Sequence, residues 1–322
     1  MKRLLIYRKK DNCFNSIENV FDRLVVNLRA DKIELPYESR GILPRLKNIA
    51  YVTQFRKHLK HITGHDHYLL WWPFKKTVLT IHDIEALKRK TGIKKWLFQK
   101  LWYDWPIGNA SVITTISEFS KKELLSINNY KTPIVVVPNP VTLPLVYTPK
   151  VFNTAFPRIL HVGIKSNKNL YRLIRALSGL RCELIIVGEA TQELEKELHK
   201  YQITYEFKTG LSNEEVMQEY VLCDLVAFVS TYEGFGLPIL EAQAVGRPVI
   251  TSNVASMPEV AGKGALFVDP FSVESIKEGI LKVITNEVFR NNLIAEGGKN
   301  IKKFDVSRIA EMYLKVYSAL SE

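Results

Sequence analysis

The chain has 322 residues, of which 46% are hydrophobic and 24% charged, a composition that excludes a disordered, fibrous or collagen-like protein. The length predicts about two globular domains. The net charge is +12, and the three cysteines form no CxxC pair, so we expect a reducing compartment. All apolar runs are shorter than the ~18 residues that a membrane-spanning helix needs. This predicts a cytoplasmic protein, either free or at the inner face of the membrane.

The positive charge is concentrated in the first half of the chain. Residues 1–150 contain 26 Lys and Arg against 12 Asp and Glu, a net charge of +14. Residues 151–322 contain 19 against 21 and are close to neutral. Such asymmetry predicts an anionic partner for the first half: nucleic acid, an anionic membrane surface or a phosphorylated substrate.

The first predicted strand, Leu4–Tyr7, precedes a helix for which Asn15 is the expected N-cap, with Glu18 as its capping-box partner. Further strands are predicted at Thr77–Ile81, Ser111–Ile116 and Ile134–Val137, and further helices near 44–59, 94–104 and 118–126. The segment 138–157 contains five prolines and no helical period. We therefore place an interdomain linker there.

Residues 151–305 alternate strand and helix more clearly. Strands are predicted at Arg158–Gly163, Cys182–Gly188, Asp224–Val229, Pro248–Thr251 and Ala265–Val268. Helices are predicted at about 170–180, 191–201, 213–222 behind a Ser212 cap, 238–245 and 272–285. This order predicts a parallel sheet whose ligands bind beyond the carboxyl ends of the strands. The tail, 306–322, contains a predicted amphipathic helix.

The segment STYEGFGLPILEA, Ser230–Ala242, is the most informative motif. Gly234 and Gly236 allow the backbone to approach a ligand closely, and the N–H groups at the start of the following helix suit a phosphate. Glu233 and Glu241 offer two carboxylates, which accept paired hydrogen bonds from the vicinal hydroxyls of a sugar or a ribose. The alternative is that one glutamate caps a helix and the other is a solvated surface residue.

This segment resembles the glutamate-pair motif of glycosyltransferase family 4, retaining enzymes that use nucleotide sugars. Other segments resemble the same family in the same order: TIHD (80–83), TTISEFSKKEL (114–124), VVPNPV (136–141), ILHVGIKSNKNLYRLIRAL (159–177) and GRPVITSNVASMPEVAGKGALFVDP (246–270). The resemblance implies the α/β GT-B fold: an acceptor-binding Rossmann-like domain (1–150) and a donor-binding one (151–305) facing each other across a cleft. A C-terminal helix (306–322) then returns to the first domain.

The resemblance also implies roles for residues of the second domain. Glu233 would hydrogen-bond the donor sugar and Glu241 the ribose. The loop after Gly163 would contribute Lys168, which neutralises the departing diphosphate, since a cation aimed at developing negative charge stabilises a transition state. Lys165 is a second donor-binding candidate, with a plain surface lysine as the alternative. The backbone of Gly234, Phe235, Gly236 and Leu237 would meet the sugar and phosphates.

Roles in the first domain are less sharply implied. His82 would contact the donor sugar or orient the acceptor, and the alternative is a core histidine satisfied by the backbone. Asp83 and His65 are acceptor-binding candidates. His58, His61, His65 and His67 show no zinc-ligand pattern, so surface and loop roles are expected for them instead of a metal site. No metal or cofactor is predicted, and the donor is expected to be linked to UDP or GDP.

The first strand lacks the Gly-rich loop that many members of this family have after it. Arg8 and Lys9 stand there instead, which predicts that cationic side chains replace backbone N–H groups or that this loop serves the acceptor. Basic residues also alternate with aromatic ones, in FKK (74–76) and KKWLF (94–98). This composition is typical of an interfacial membrane anchor, and the alternative is that Trp96, Leu97 and Trp102 pack in the core.

The predicted reaction transfers a sugar from a nucleotide diphosphate sugar to a hydroxyl of a saccharide or lipid-linked acceptor, with retention of configuration, in surface polysaccharide or glycoconjugate assembly. Two alternatives remain open. One is another enzyme of the same fold, a sugar-nucleotide epimerase or a sugar phosphorylase. The other is a non-catalytic protein that binds anions or nucleic acid, although the sequence contains no recognisable nucleic-acid motif.

Overall fold

A computed structural model describes residues 2–9 and 16–320. Contacts within the chain divide it into two compact units. Unit 1 comprises Met1–Pro140 together with Phe304–Glu322, and unit 2 comprises Val141–Lys303. The last helix of the chain therefore belongs to the same unit as its first strand.

Unit 1 contains a six-stranded sheet in the order β2-β1-β3-β4-β5-β6, with parallel pairing throughout. Its strands are β1 (Arg3–Tyr7), β2 (Asp31–Glu34), β3 (Leu59–Ile62), β4 (Thr77–Ile81), β5 (Val112–Thr115) and β6 (Ile134–Val136). Its first six helices are α1 (Ser16–Leu28), α2 (Ile42–Thr53), α3 (Glu85–Lys88), α4 (Gly92–Gln99), α5 (Trp105–Asn109) and α6 (Glu118–Ile127). A 3₁₀ turn spans His67–Trp71 and a π-helical turn spans Lys100–Asp104.

Unit 2 contains a second six-stranded parallel sheet in the order β12-β11-β10-β7-β8-β9. Its strands are β7 (Arg158–Val162), β8 (Glu183–Val187), β9 (Thr204–Lys208), β10 (Leu225–Phe228), β11 (Val249–Ser252) and β12 (Leu266–Val268). Its helices are α7 (Leu170–Leu177), α8 (Gln192–Lys200), α9 (Asn213–Leu222), α10 (Leu237–Val245), α11 (Met257–Ala261), α12 (Val273–Thr285) and α13 (Glu287–Asn300). The final helix, α14 (Val306–Ala319), lies in unit 1.

The first and last helices bury the apolar faces that their sequence periodicity predicts. Phe21 and Leu24 of α1 are fully buried, as are Ile309 and Tyr313 of α14, and these two helices pack on one another. In unit 2 the predicted Ser212 cap is confirmed, and it forms a full capping box that was not predicted: the Ser212 hydroxyl accepts the Glu215 N–H at 3.2 Å, and the Glu215 carboxylate accepts the Ser212 N–H at 2.7 Å. The predicted cap of α1, Asn15, lies outside the described residues.

Three strands were not predicted: β2, β3 and β9. The predicted helix over 44–59 is too long, because α2 ends at Thr53 and β3 begins at Leu59. The predicted helix near 94–104 is α-helical only to Gln99 and then becomes the π turn. Helices α3, α5, α11 and α13 were also missed, the last because its pair Gly297-Gly298 is typical of a turn or loop.

Both sheets reverse their strand order at one position. In unit 2 the chain runs outward through β7, β8 and β9, and then returns to place β10 on the other side of β7. In unit 1 the corresponding reversal lies between β1 and β3. Loops that leave adjacent strands in opposite directions at such a point open a crevice where ligands bind. The segments after β7, β10, β1 and β3 are therefore the expected functional loops.

Candidate active site

The loops after β7 and β10 bring together two residues that the sequence predicted from separate motifs. The Lys168 Nζ lies 2.8 Å from the Glu233 Oε1, and the two side chains are only 18% and 15% exposed. The Lys168 ammonium also lies 4.7 Å from the centre of the Phe228 ring. The switch point of unit 2 therefore holds a partly buried ion pair between the predicted diphosphate-binding cation and the predicted sugar-binding carboxylate.

Asn167 braces this pair, and sequence reasoning did not identify it. Its side-chain amide donates to the Tyr232 carbonyl at 2.9 Å and to the Glu233 Oε1 at 3.1 Å. The backbone carbonyl of Asn167 accepts the Thr231 N–H at 2.8 Å. These bonds tie the β7 loop to the β10 loop. An asparagine between two lysines carries no pattern that would have revealed this role.

Two glycines have the positive φ that these turns require. Gly163 has φ +93°, and a Cβ there would lie 3.2 Å from the Lys168 Cε. Gly236 has φ +119°, and a Cβ there would lie 3.1 Å from the Ile239 Cδ1. The Ser256 hydroxyl donates to the carbonyls of Glu233 and Phe235 at 2.9 and 2.6 Å. The turn is thus held from outside while α10 begins at Leu237. Its second residue, Pro238, has no N–H, and the Ile239 N–H donates to the Gly236 carbonyl at 3.1 Å, so what this helix start offers an anion is mainly the positive end of the helix dipole.

Glu241 is buried, which rules out the solvated surface glutamate considered from the sequence. It is 7% exposed. The Thr142 hydroxyl donates to its Oε1 at 3.0 Å and the Tyr220 hydroxyl to its Oε2 at 2.7 Å. Burial raises the pKa of this carboxyl, while the two hydroxyls and nearby Lys168 oppose the rise. A carboxylate has about four acceptor positions, so two remain for a ligand.

The corresponding loops of unit 1 contain the predicted acceptor residues. After β1, the Arg8 guanidinium donates to both oxygens of Glu18 at 2.7 and 3.3 Å, and Lys9 is exposed. After β3, His65 is exposed and its ring centre lies 5.9 Å from that of His82. The structure therefore brings His65 and His82 together, but it uses the Arg8 side chain in an internal ion pair.

His82 is buried at the end of β4. Its Nε2–H donates to the Thr63 carbonyl at 2.8 Å, and burial, assisted by His65, lowers its pKa to about 4. The imidazole is therefore neutral near pH 7. The adjacent Asp83 accepts the Glu85 N–H at 2.9 Å, which satisfies the backbone at the start of α3. These bonds match the core-histidine alternative, and they leave the predicted role of His82 toward a substrate untested.

Comparison with known proteins identifies the chemistry. Residues 150–300 match the family model described as "Glycosyl transferases group 1". The chain is 27% identical over 279 residues to O-antigen chain mannosyltransferase B of Escherichia coli, covering 76% of this chain and 71% of that protein. It is also 31% identical over 170 residues to the E. coli serotype-specific mannosyltransferase WbdA, of which the match spans only 21%.

The residues that match this family model lie within unit 2. Solved structures are similar to the chain over nearly its whole length at the level of the fold. Anabaena HepE, solved with UDP and glucose, superposes with a TM-score of 0.80 at 15% identity, covering 98% of this chain and 100% of that one. WaaG, described as a glycosyltransferase involved in lipopolysaccharide biosynthesis, superposes with a TM-score of 0.74 at 16% identity. The superposition covers 99% of this chain and 100% of that one. The GT-B fold predicted from the sequence is confirmed, and the chain is a glycosyltransferase.

Within unit 2, the side chains of Lys165 and Lys168 have different environments. The Lys165 side chain is exposed, and its carbonyl accepts the Lys168 N–H at 2.8 Å. That bond closes the 3₁₀ turn Ser166–Lys168 and directs the second lysine toward Glu233. The position of Lys165 fits the surface-lysine alternative, and its predicted role as a donor ligand is untested.

In unit 1 of this glycosyltransferase, the expected surface or loop role is wrong for two of the four clustered histidines. His61 is fully buried in β3 and hydrogen-bonds to Tyr317 and to Thr80, both at 2.7 Å. His67 is buried, and its Nδ1–H donates to the Trp102 carbonyl at 2.8 Å. Burial lowers both pKa values to about 3. In residues 2–9 and 16–320, no group of three or more His, Cys, Asp or Glu side chains is arranged to hold a metal ion.

The sequence left two interpretations for the aromatic and apolar residues of the basic segments: a membrane anchor, or packing in the core. In the structure some of these residues are packed and others are exposed. Trp102 packs against the core, where the Phe98 ring stacks on it. The two ring centres are 5.3 Å apart and the ring planes differ by 10°. Trp96 and Leu97 remain 58% and 50% exposed. Among the described residues, no helix has both the length and the apolarity required to cross a membrane.

Proposed function

We propose that this glycosyltransferase moves a hexosyl group from a nucleotide diphosphate sugar to a hydroxyl of a saccharide or lipid-linked acceptor, with retention of configuration. The proposal places the reaction in surface polysaccharide assembly. It is supported by the two E. coli relatives, an O-antigen chain mannosyltransferase and a serotype-specific mannosyltransferase. UDP or GDP is the expected nucleotide.

The observation that carries this proposal is the Lys168–Glu233 pair at the switch point of unit 2. When a donor enters, its diphosphate competes with Glu233 for the Lys168 ammonium, and its sugar hydroxyls compete with Lys168 for the Glu233 carboxylate. Each partner can thus exchange one protein contact for one substrate contact. This exchange limits the desolvation cost of placing charged groups in a partly buried site.

The reaction breaks the bond between the anomeric carbon and the diphosphate oxygen and forms a bond from that carbon to the acceptor oxygen. The acceptor proton passes to the leaving phosphate, on the same face of the sugar. Lys168 stabilises the negative charge that develops on the diphosphate. Glu241 holds the ribose through the acceptor positions that Thr142 and Tyr220 leave open. His82 contacts the sugar or orients the acceptor.

The acceptor is proposed to meet the loops of unit 1, through Arg8, Lys9, His65 and Asp83. We further propose that the enzyme works at the inner face of a membrane, because residues 1–150 have a net charge of +14. No metal or cofactor is required in this proposal, since Lys168 and the positive end of the α10 helix dipole supply the neutralising charge. Activity unchanged by chelation with EDTA is the expected result, and loss of activity restored by a divalent cation would overturn this part.

The test is calorimetric titration with UDP-, GDP- and ADP-sugars, followed by NMR analysis of the product anomer. Binding of one class, followed by transfer with retention, is expected. Sugar release or epimerisation without an acceptor would favour another enzyme of the same fold. Salt-sensitive oligonucleotide binding without affinity for any nucleotide sugar would favour a non-catalytic binding protein.

Two substitutions separate the roles of the glutamates. Glu233→Ala is expected to retain nucleotide affinity and lose turnover, because this side chain meets the sugar. Glu241→Ala is expected to weaken nucleotide binding itself, because its contact is to the ribose. Identical losses in the two variants, measured by titration and by initial rates, would contradict this assignment.

A further inference from the structure

Helix α4 of unit 1 presents an unusual face to solvent. Ile93, Trp96 and Leu97 follow the spacing that places side chains on one side of a helix. A soluble protein normally turns such a stripe inward. Here the three side chains are 80%, 58% and 50% exposed. The stripe therefore has no partner among the described residues that would account for its apolar character.

The other side of α4 is firmly held. Phe98 stacks on Trp102, and the Gln99 side-chain amide donates to the Ile127 carbonyl at 2.9 Å. The helix is therefore anchored at its carboxyl end, with its apolar stripe directed away from the core.

A second exposed stripe lies near the same aromatic cluster. Ile42, Leu43 and Leu46, at the start of α2, are 69%, 64% and 50% exposed. The guanidinium of Arg45, in the same turn, lies 4.6 Å from the centre of the Trp102 ring, the ring on which Phe98 of α4 stacks. Both helices therefore contact the Trp102 ring, and we call their two exposed stripes together the α2/α4 face.

The two segments that carry this face are basic. Residues 39–65 contain six Lys or Arg and no Asp or Glu, and residues 86–103 likewise contain six and none. Three of the cations in the second segment, Lys88, Arg89 and Lys100, pair with acids that lie outside it, whereas Lys94 and Lys95 of α4 are exposed beside the apolar stripe. Apolar side chains flanked by cations complement an anionic lipid surface, where tails take up the former and headgroups pair with the latter.

We propose that the α2/α4 face docks on a bilayer containing anionic lipid, inserting Ile93, Trp96 and Leu97 at the level of the headgroups. This surface deepens the proposed function, since it supplies the membrane contact proposed above, but it does not depend on which sugar is transferred. The bilayer is favoured over a protein partner because Lys94 and Lys95 are exposed beside the apolar stripe, where the headgroups of anionic lipids would pair with them.

The first experiment is co-sedimentation of the full chain with vesicles of equal parts phosphatidylglycerol and phosphatidylcholine, compared with pure phosphatidylcholine. We expect binding to the anionic vesicles at low salt and its loss at high salt. A triple variant, Ile93→Gln, Trp96→Gln and Leu97→Gln, should lose the binding, whereas Val26→Gln, at a position 80% exposed on α1, should retain it. Absence of wild-type binding, or equal binding by the triple variant, would overturn the proposal.

The contribution of positive charge to vesicle binding is tested with two double variants that change the net charge equally. Lys94→Glu with Lys95→Glu is expected to lower vesicle partitioning by at least about tenfold, because two side chains that attract the anionic surface are replaced by two that it repels. Lys302→Glu with Lys303→Glu makes the same change in net charge on an exposed segment elsewhere and should have a much smaller effect. Equal losses in both pairs would show a non-specific charge effect and would overturn docking by this face.

Two further measurements separate this surface from its rivals. Lipids carrying a quencher in the acyl chain should quench wild-type tryptophan fluorescence, and Trp96→Phe should bind vesicles with most of that quenching lost. Sedimentation velocity without lipid tests for self-association: a dimer abolished by the triple variant, without vesicle binding, would make the face a protein interface. Nucleotide-sugar titration of the triple variant should match wild type, so loss of donor binding and loss of docking remain distinguishable.

Discussion

The two units share a parallel six-stranded sheet with one switch point, but they place different chemistry there. In unit 2 the switch-point side chains pair with one another across two loops, as in Lys168 with Glu233. In unit 1 they are held by internal partners, as in Arg8 with Glu18 and His82 with the Thr63 carbonyl. The same topology can therefore present an ion pair that joins two loops, or a cation paired with the following helix near a neutral, hydrogen-bonded histidine. The side chains that follow the strands decide which of the two is formed.

The difference in titratable groups predicts that unit 1 is the more sensitive to acid. Burial lowers the pKa of His61, His67 and His82 to about 3, 3 and 4, whereas unit 2 has one such residue, His161, at about 4. An unfolded chain takes up protons on these residues as the pH falls through 6.5, while the folded chain does not. Each histidine thus lowers the free energy of unfolding by at most about 2 kcal/mol between pH 6.5 and 5.

The loss begins near pH 6.5 and is complete below the folded pKa values. Each unit also has one carboxyl whose pKa is raised by burial, Asp66 in unit 1 and Glu241 in unit 2. A raised carboxyl pKa opposes the loss of stability on acidification, and this opposing contribution is present in both units. Hydrogen exchange at pH 7 and pH 5, followed by peptide in both units, should show protection falling further in unit 1. His61→Gln should reduce that difference, and equal losses in both units would contradict the prediction.

The second prediction concerns the Lys168–Glu233 pair. Lys168→Met keeps the apolar stem of the side chain and removes its charge, so kcat should fall by about 100-fold or more. Lys165→Met makes the same change on an exposed side chain three residues earlier and should alter kcat by less than about threefold. Initial rates at saturating donor measure both. Equal effects would mean that the two lysines share the diphosphate, contrary to the position of Lys165.

The sequence predicted unit 2 better than unit 1, for physical reasons that particular segments show. Strand β7 and helix α9 carry clear apolar runs and a capping box, which are local signals. Strand β3, LKHI, hides its apolar character behind Lys60 and His61, although both residues are buried. Strand β9 stands at an edge of its sheet, where one unpaired side removes the need for a continuous apolar run.

In the candidate site, too, local features were predictable from the sequence and long-range contacts were not. Glycines, glutamates and lysines in turns were predictable because their backbone and charge requirements are local. The partners of Glu241 were not, because Thr142 lies 99 residues away in sequence and Tyr220 lies 21 away. Contacts of that kind depend on the folded arrangement, and a single sequence carries no signal for them.

The third prediction tests how firmly unit 2 holds Glu241. Tyr220→Phe removes the hydroxyl that donates to its Oε2 and leaves a buried carboxylate oxygen unsatisfied. We expect the free energy of unfolding to fall by about 1–3 kcal/mol. Tyr205→Phe, whose hydroxyl makes only a 3.4 Å contact with His199 near the surface, should change it by less than about 0.5 kcal/mol. Urea denaturation measures both, and equal values would show that the Glu241 contact adds no stability.

The smallest expected effect distinguishes an acceptor role for the β1 loop from a structural one. Arg8 is 36% exposed and pairs with Glu18, which is 7% exposed, so Arg8→Ala changes stability as well as any acceptor contact. Lys9→Ala changes only an exposed cation and should raise the KM for the acceptor by up to about fivefold, without changing nucleotide affinity. Glu18→Gln removes the ion pair while keeping Arg8 and isolates the structural part. If Lys9→Ala left acceptor kinetics unchanged while Arg8→Ala and Glu18→Gln lost the same stability, the loop would serve the fold of unit 1. Its cations would then have no part in binding the acceptor.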